Sequence, residues 1–164
     1  MRSSSTILAV ILFILAAPAL SAKTKGENRR EAMPLGFSLA SGGVAMAGFG
    51  LDYYVTNKIN LEGIVGVMGG GGGGINFHPM GDDDNRTWSP YIGLQGGVIP
   101  DTEVDLFEDT DYTQNNIYIP IGLHHIAQSG FSFKFELGYM HGFENDDLDS
   151  FDAPWGCLQL GFRP

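Results

Sequence analysis

The sequence predicts an all-β protein, an eight-stranded antiparallel up-and-down β-barrel that crosses a membrane with its strands. Three observations lead to that class. From Leu35 onward apolar and polar residues alternate with period two, as they do on strands whose side chains point to opposite faces. Turn and loop signals divide the alternating runs into eight segments, and no stretch beyond the N-terminal region has a helical period. The apolar face is nearly free of charge, while Asp52, Asn60, Glu62, Asn76, His78, Gln95, Lys134, Glu136, Gln159 and Arg163 share the opposite one. A barrel in water needs the reverse arrangement; a barrel in lipid needs this one.

The stretch Asn115–Phe143 shows the pattern most fully. Ile117, Ile119, Ile121 and Leu123 alternate with Tyr118, Pro120, Gly122 and His124. Phe131, Phe133, Phe135, Leu137 and Tyr139 then alternate with Ser132, Lys134, Glu136, Gly138 and Met140. Ser129-Gly130 supplies the turn of a hairpin. Its greasy row must be covered by a second sheet in a soluble sandwich, or by lipid in a membrane barrel.

The other elements follow in order. Arg2, the polar Ser3–Thr6, the apolar run Ile7–Ala17, Pro18 and the small residues Ala19, Ser21 and Ala22 have the order of a secretory signal peptide. The run is too short to span a hydrocarbon layer of ~30 Å as a helix. Residues 1–22 are therefore assigned to the signal, 23–33 to a flexible polar lead-in, and 34–164 to one barrel domain. Leu35, Phe37 and Leu39 begin the first strand, which ends at Ser41-Gly42-Gly43. Ala45, Ala47, Phe49, Leu51, Tyr53 and Val55 share one face of the second, and Ile59, Leu61, Val65 and Val67 one face of the third. The block Gly69–Gly74 reads as a flexible or closely packed connection before Ile75 and Phe77 of the fourth. Trp88, Ile92, Leu94 and Val98 mark the fifth strand, the hairpin supplies the sixth and seventh, and Trp155–Arg163 is the eighth. Tyr53, Tyr54, Trp88, Tyr139, Phe143 and Trp155 lie near strand ends, where interfacial aromatic girdles sit.

Composition narrows the function. The formal charge is −10, or −11 once Arg2 leaves with the signal, which disfavours a nucleic-acid partner. Cys157 is the sole cysteine, so no internal disulfide forms, and it reads as a small wall residue. Eight strands leave an interior just filled by side chains. There Lys134 and Arg163 are expected to pair with Glu62, Glu136 or Asp52, because isolated buried charges are costly. The glycines Gly48, Gly50, Gly66, Gly93, Gly97, Gly122 and Gly138 leave room inside the wall. The carboxylates of 101–114 and 144–153 can gather divalent cations. They lack the EF-hand spacing, and the simpler reading is a pair of solvated loops. No cofactor, metal site or catalytic residue is assigned.

The stretch IPIGLHHIAQSGFSFKFELGYMHGF and the closing PWGCLQLGFRP resemble the last three strands of small bacterial outer-membrane β-barrel proteins, the OmpA-like and OmpW-like eight-stranded group. The resemblance implies location in the outer membrane of a Gram-negative bacterium and insertion by the barrel assembly machinery. That machinery reads a last strand with alternating apolar residues and a terminal aromatic. Leu158, Leu160 and Phe162 match this signal, while Arg163-Pro164 after the aromatic depart from it. The expected partners are outer-membrane lipid and lipopolysaccharide, with the chain a monomer and no peptidoglycan-binding domain attached. Two alternatives stand beside this reading. One is a secreted soluble barrel or sandwich that binds an apolar ligand. The other is an outer-membrane acyl hydrolase, for which His124, His125, Ser129 and Glu136 are the nearest material.

Overall fold

The period-two alternation becomes eight antiparallel strands closed into a barrel in a computed structural model of the chain. The structure describes residues 28–67, 69–83, 86–100, 113–144 and 148–164. The signal segment, the first part of the lead-in, and the acidic stretch 101–112 lie outside them.

The strands are β1 Leu35–Gly42, β2 Ala47–Tyr54, β3 Ile59–Gly66, β4 Gly71–Phe77, β5 Trp88–Pro100, β6 Thr113–Ile126, β7 Phe131–Gly142 and β8 Phe151–Phe162. Each pairs with the next in sequence, and β8 pairs with β1, so no sheet edge is left open. Along β6 exposed and buried residues alternate almost without exception. Followed from Phe37 through β2 to β7, the pairing reaches Asp152 on β8, whereas the direct β8 partner of Phe37 is Phe162. The stagger is ten residues (152 against 162). With a rise of ~3.3 Å per residue and strands ~4.8 Å apart, it tilts the strands by about 40° from the barrel axis.

The described N-terminal segment, from Asn28, and the C-terminus lie at one mouth, the near mouth. The turns there are short. Thr56 Oγ1 accepts from Lys58 N and Ile59 N at 3.2 and 3.1 Å, fixing the β2–β3 turn. Gly130, at φ 85°, lets the β6–β7 chain reverse within four residues. The β4–β5 link is longer, and Lys58 forms an ion pair with Asp82 across it.

Several sequence expectations are corrected. Gly71–Gly74 do not form a connection: they are the first residues of β4 and pair on both sides, with β3 and β5. Of the glycine block, Gly69 and Gly70 precede the strand, both at positive φ. Ala45 does not lie on the outer face of β2 but in a short 3₁₀ turn, Gly43–Ala45, buried inside the barrel. β8 begins at Phe151, so the preceding acidic link is shorter than expected. Residues 28–33 of the lead-in are not a free tail. They form a short helix α1 (Arg29–Ala32) and its flanks, with Arg30 and Met33 buried across the near mouth. Among the expected girdle aromatics, Tyr54 points into the lumen and Trp155 packs against the buried core.

Candidate functional site

Inward-facing residues from all eight strands fill the lumen in three layers. At the far mouth the 3₁₀ turn Gly43–Ala45 folds back inside, and Val44 is fully buried with Ala40, Ile64, Ile99, Tyr118, Met140 and Cys157. The glycines explain how it fits. A Cβ at Gly72 would lie 2.8 Å from Val44 Cγ2, and one at Gly97 would lie 2.9 Å from Val44 Cβ. The Gly-rich start of β4 and the paired Gly97 of β5 are therefore the socket of an apolar plug. Trp155 Nε1 donates to Gly43 O at 3.0 Å and holds the turn down.

The middle layer is polar. Lys134 Nζ donates to Glu62 Oε2 at 2.9 Å and lies 4.0 Å from Asp52 Oδ2. Glu62 also accepts from Asn76 Nδ2 at 2.8 Å and from Gln159 Nε2. Asp52 accepts from Asn60 Nδ2 at 2.8 Å and forms an ion pair with Arg163. Tyr91 donates its hydroxyl to Glu136 Oε1 at 2.6 Å, and Glu136 Oε2 has no hydrogen-bond partner. Two glycines on β6 and β7 make room for the lumen tyrosines. A Cβ at Gly122 would meet the Tyr91 ring at 2.6 Å, and one at Gly138 the Tyr118 ring at 2.7 Å.

The layer at the near mouth is built around Tyr54. Its hydroxyl is 3.1 Å from His78 Nε2 and 2.9 Å from His124 Nδ1, and His78 Nδ1 lies 3.2 Å from Ser89 Oγ. The Arg163 guanidinium stands 4.7 Å from the Tyr54 ring centre and that of Arg30 5.9 Å. Met33 and Ile126 complete an apolar cluster with Tyr54. The N-terminal segment is tied down at three places. Asn28 Nδ2 donates to Gly81 O at 2.8 Å, Arg29 Nη1 to Ile126 O at 2.9 Å, and Arg163 Nη1 to Met33 O and Pro34 O at 2.9 and 3.0 Å.

The structure thus places Asp52, Glu62, Lys134, Glu136 and Arg163 together in the lumen, all buried. Arg163 pairs with Asp52 and Lys134 with Glu62; Glu136 is held by Tyr91 instead of a cation. Arg30, Tyr54 and Val44 belong to the same interior and gave no sequence signal of it, because each lies in or beside a link whose path depends on the closed barrel.

This chain is similar in fold to the N-terminal beta-barrel domain of Pseudomonas aeruginosa OprF. Identity is 15% over 84% of this chain and 98% of that one, with a TM-score of 0.48. No protein-family model matches the chain, and no curated protein matches it.

The residues nearest to a hydrolase set are not brought together. His124 faces the lumen, His125 is on the outer wall against the Trp88 ring at 4.7 Å, Ser129 is in the β6–β7 turn, and Glu136 is in the lumen. A His141–Asp152 pair at 2.9 Å does lie on the outer wall near the far rim, and among the described residues no serine is bonded to either member. Among the described residues no group of three His, Cys, Asp or Glu could hold a metal ion.

The outer wall is the opposite of the lumen. Phe49, Leu51, Leu61, Val65, Ile75, Phe77, Ile92, Leu94, Ile119, Ile121, Phe131, Phe135, Leu137, Leu158 and Leu160 are all exposed. Along the outward positions of the eight strands, Asp152 at the far rim is the sole carboxylate among the described side chains, and there is no Lys or Arg.

Proposed function

We propose that this protein is an outer-membrane β-barrel of a Gram-negative bacterium with a structural or surface-interaction role and no catalysis. One observation carries the reading: the wall is inside-out for water, apolar without and charged within. Exposed apolar area on this scale is far beyond the few hundred Å² that a soluble monomer tolerates. Strands of eight residues, such as β2 and β3, come close to the height a lipid layer needs. The apolar rows from Ala47 to Val55 and from Ile59 to Val67, at the tilt given above, cover about 20 Å along the barrel axis. That is close to the band of ~25 Å found on such barrels. A carrier of apolar ligands needs an apolar cavity, whereas this lumen holds Asp52, Glu62, Lys134, Glu136 and Arg163.

In this reading the near mouth, with the β2–β3 and β6–β7 turns and the C-terminus, faces the periplasm. The acidic links of the far mouth face outward, beside lipopolysaccharide. The barrel assembly machinery inserts the chain, and the closed wall favours a monomer. The test is fractionation of a Gram-negative host expressing the chain with its own N-terminal region. The protein is expected in the outer-membrane fraction, with protease added to whole cells cutting only in the far links. Recovery from the soluble periplasm or the medium would contradict the reading.

A further inference from the structure

We infer that the near mouth holds a small inorganic anion of the halide class, bound by Arg30. The inference does not depend on the membrane reading, because it rests on the interior alone.

Arg30 is 1% exposed, so its guanidinium cannot be solvated by bulk water. Its Nη1 makes one long contact, 3.5 Å to Gly81 O, and its Nε and Nη2 have no hydrogen-bond partner. Among the described residues no carboxylate lies within ion-pair distance of it, although the neighbouring cations are matched: Arg163 with Asp52 and Lys134 with Glu62. An enclosed cation without a counter-charge is costly, and interiors do not leave that cost unmet.

The surrounding donors point to the missing partner. Arg163 Nε and His124 Nε2 are also buried without partners. Arg30, Arg163, His78 and His124 stand around the Tyr54 ring at 5.9, 4.7, 5.2 and 6.0 Å. The layer therefore has spare donors and a deficit of negative charge. A metal cation is excluded by that sign. A lipid phosphate or a peptide carboxylate would need an open approach, and α1, Met33 and Ile126 cover the layer. A small ion, enclosed as the N-terminal segment folds over the mouth, satisfies size and charge together. The segment would then be held partly by the ion beneath it, beyond the bonds from Asn28, Arg29 and Arg163.

Two measurements on the full mature chain test this. In crystals grown in bromide, anomalous density is expected within hydrogen-bond distance of Arg30 Nη2 or Nε. No density there, or a carboxylate of the chain on the Arg30 guanidinium, would overturn the proposal. In detergent, the unfolding temperature is to be followed in chloride at constant ionic strength, with gluconate as the bulky replacement. Above the dissociation constant, each tenfold rise in chloride is expected to raise the transition by roughly 5 °C. Arg30→Met should abolish that dependence, and Arg86→Met, at an exposed cation of the β4–β5 link, should keep it. Chloride dependence that survives Arg30→Met, or is absent from the parent protein, would contradict the site. If Arg30→Met does not fold, the bromide density decides alone.

Discussion

Lys134 shows what a single lumen residue does. It is 3% exposed, and its ammonium meets Glu62 at 2.9 Å while Asn76 and Gln159 supply the remaining donors to that carboxylate. Lys134→Met would leave Glu62 buried and short of its cation, so a loss of about 3–5 kcal/mol in unfolding free energy is expected. Replacing both residues by Met should cost much less, because no uncompensated charge then remains. Urea unfolding of detergent-refolded protein measures both, and equal losses in the two variants would contradict the pairing. Gly122 acts at the same scale. Its missing Cβ leaves space for the Tyr91 ring, whose hydroxyl holds Glu136. Gly122→Val is expected to cost about 1–3 kcal/mol by overpacking, seen as a lower unfolding temperature. That Lys134, Glu136, Glu62 and Asp52 face the same side was legible in the alternation. Which carboxylate each cation takes was not, because partners such as Asp52 and Arg163 lie 111 positions apart and meet only once the barrel closes.

Elements divide into those the alternation reveals and those it hides. The strands were legible because outward positions are mostly apolar and inward ones mostly small or polar, a pattern that fixes register. The Gly-rich start of β4 was hidden. Glycine is poor in strands, yet here tertiary fit overrides propensity, since Gly72 and Gly97 receive Val44. The plug and the cap were hidden for the same reason. Gly43–Ala45 and residues 28–33 are too short for any period, and their burial is decided by a lumen that other segments build. Gly72→Val crowds the Gly96–Gly97 backbone of β5 as well as Val44, and is expected to drive Val44 from its socket and cost about 1–3 kcal/mol. The free β1–β2 link should then become a cleavage site in limited proteolysis. An unchanged digestion pattern with a folded barrel would contradict the plug.

At the scale of the whole molecule, one property separates a barrel in lipid from one in water: what surrounds the wall. Ile121, at mid-height of β6, is 65% exposed. In lipid, Ile121→Arg is expected to cost about 2–4 kcal/mol. In water the same change at an exposed site would lie within ~0.5 kcal/mol. Unfolding from lipid vesicles measures the difference. The most direct test of the central claim is heat-modifiability in isolated outer membranes, with boiled and unboiled samples run side by side in detergent gels. A closed barrel with a lipid-facing wall predicts a mobility shift on boiling, in the outer-membrane fraction. An unshifted band, with the protein released in the soluble fraction, would contradict it.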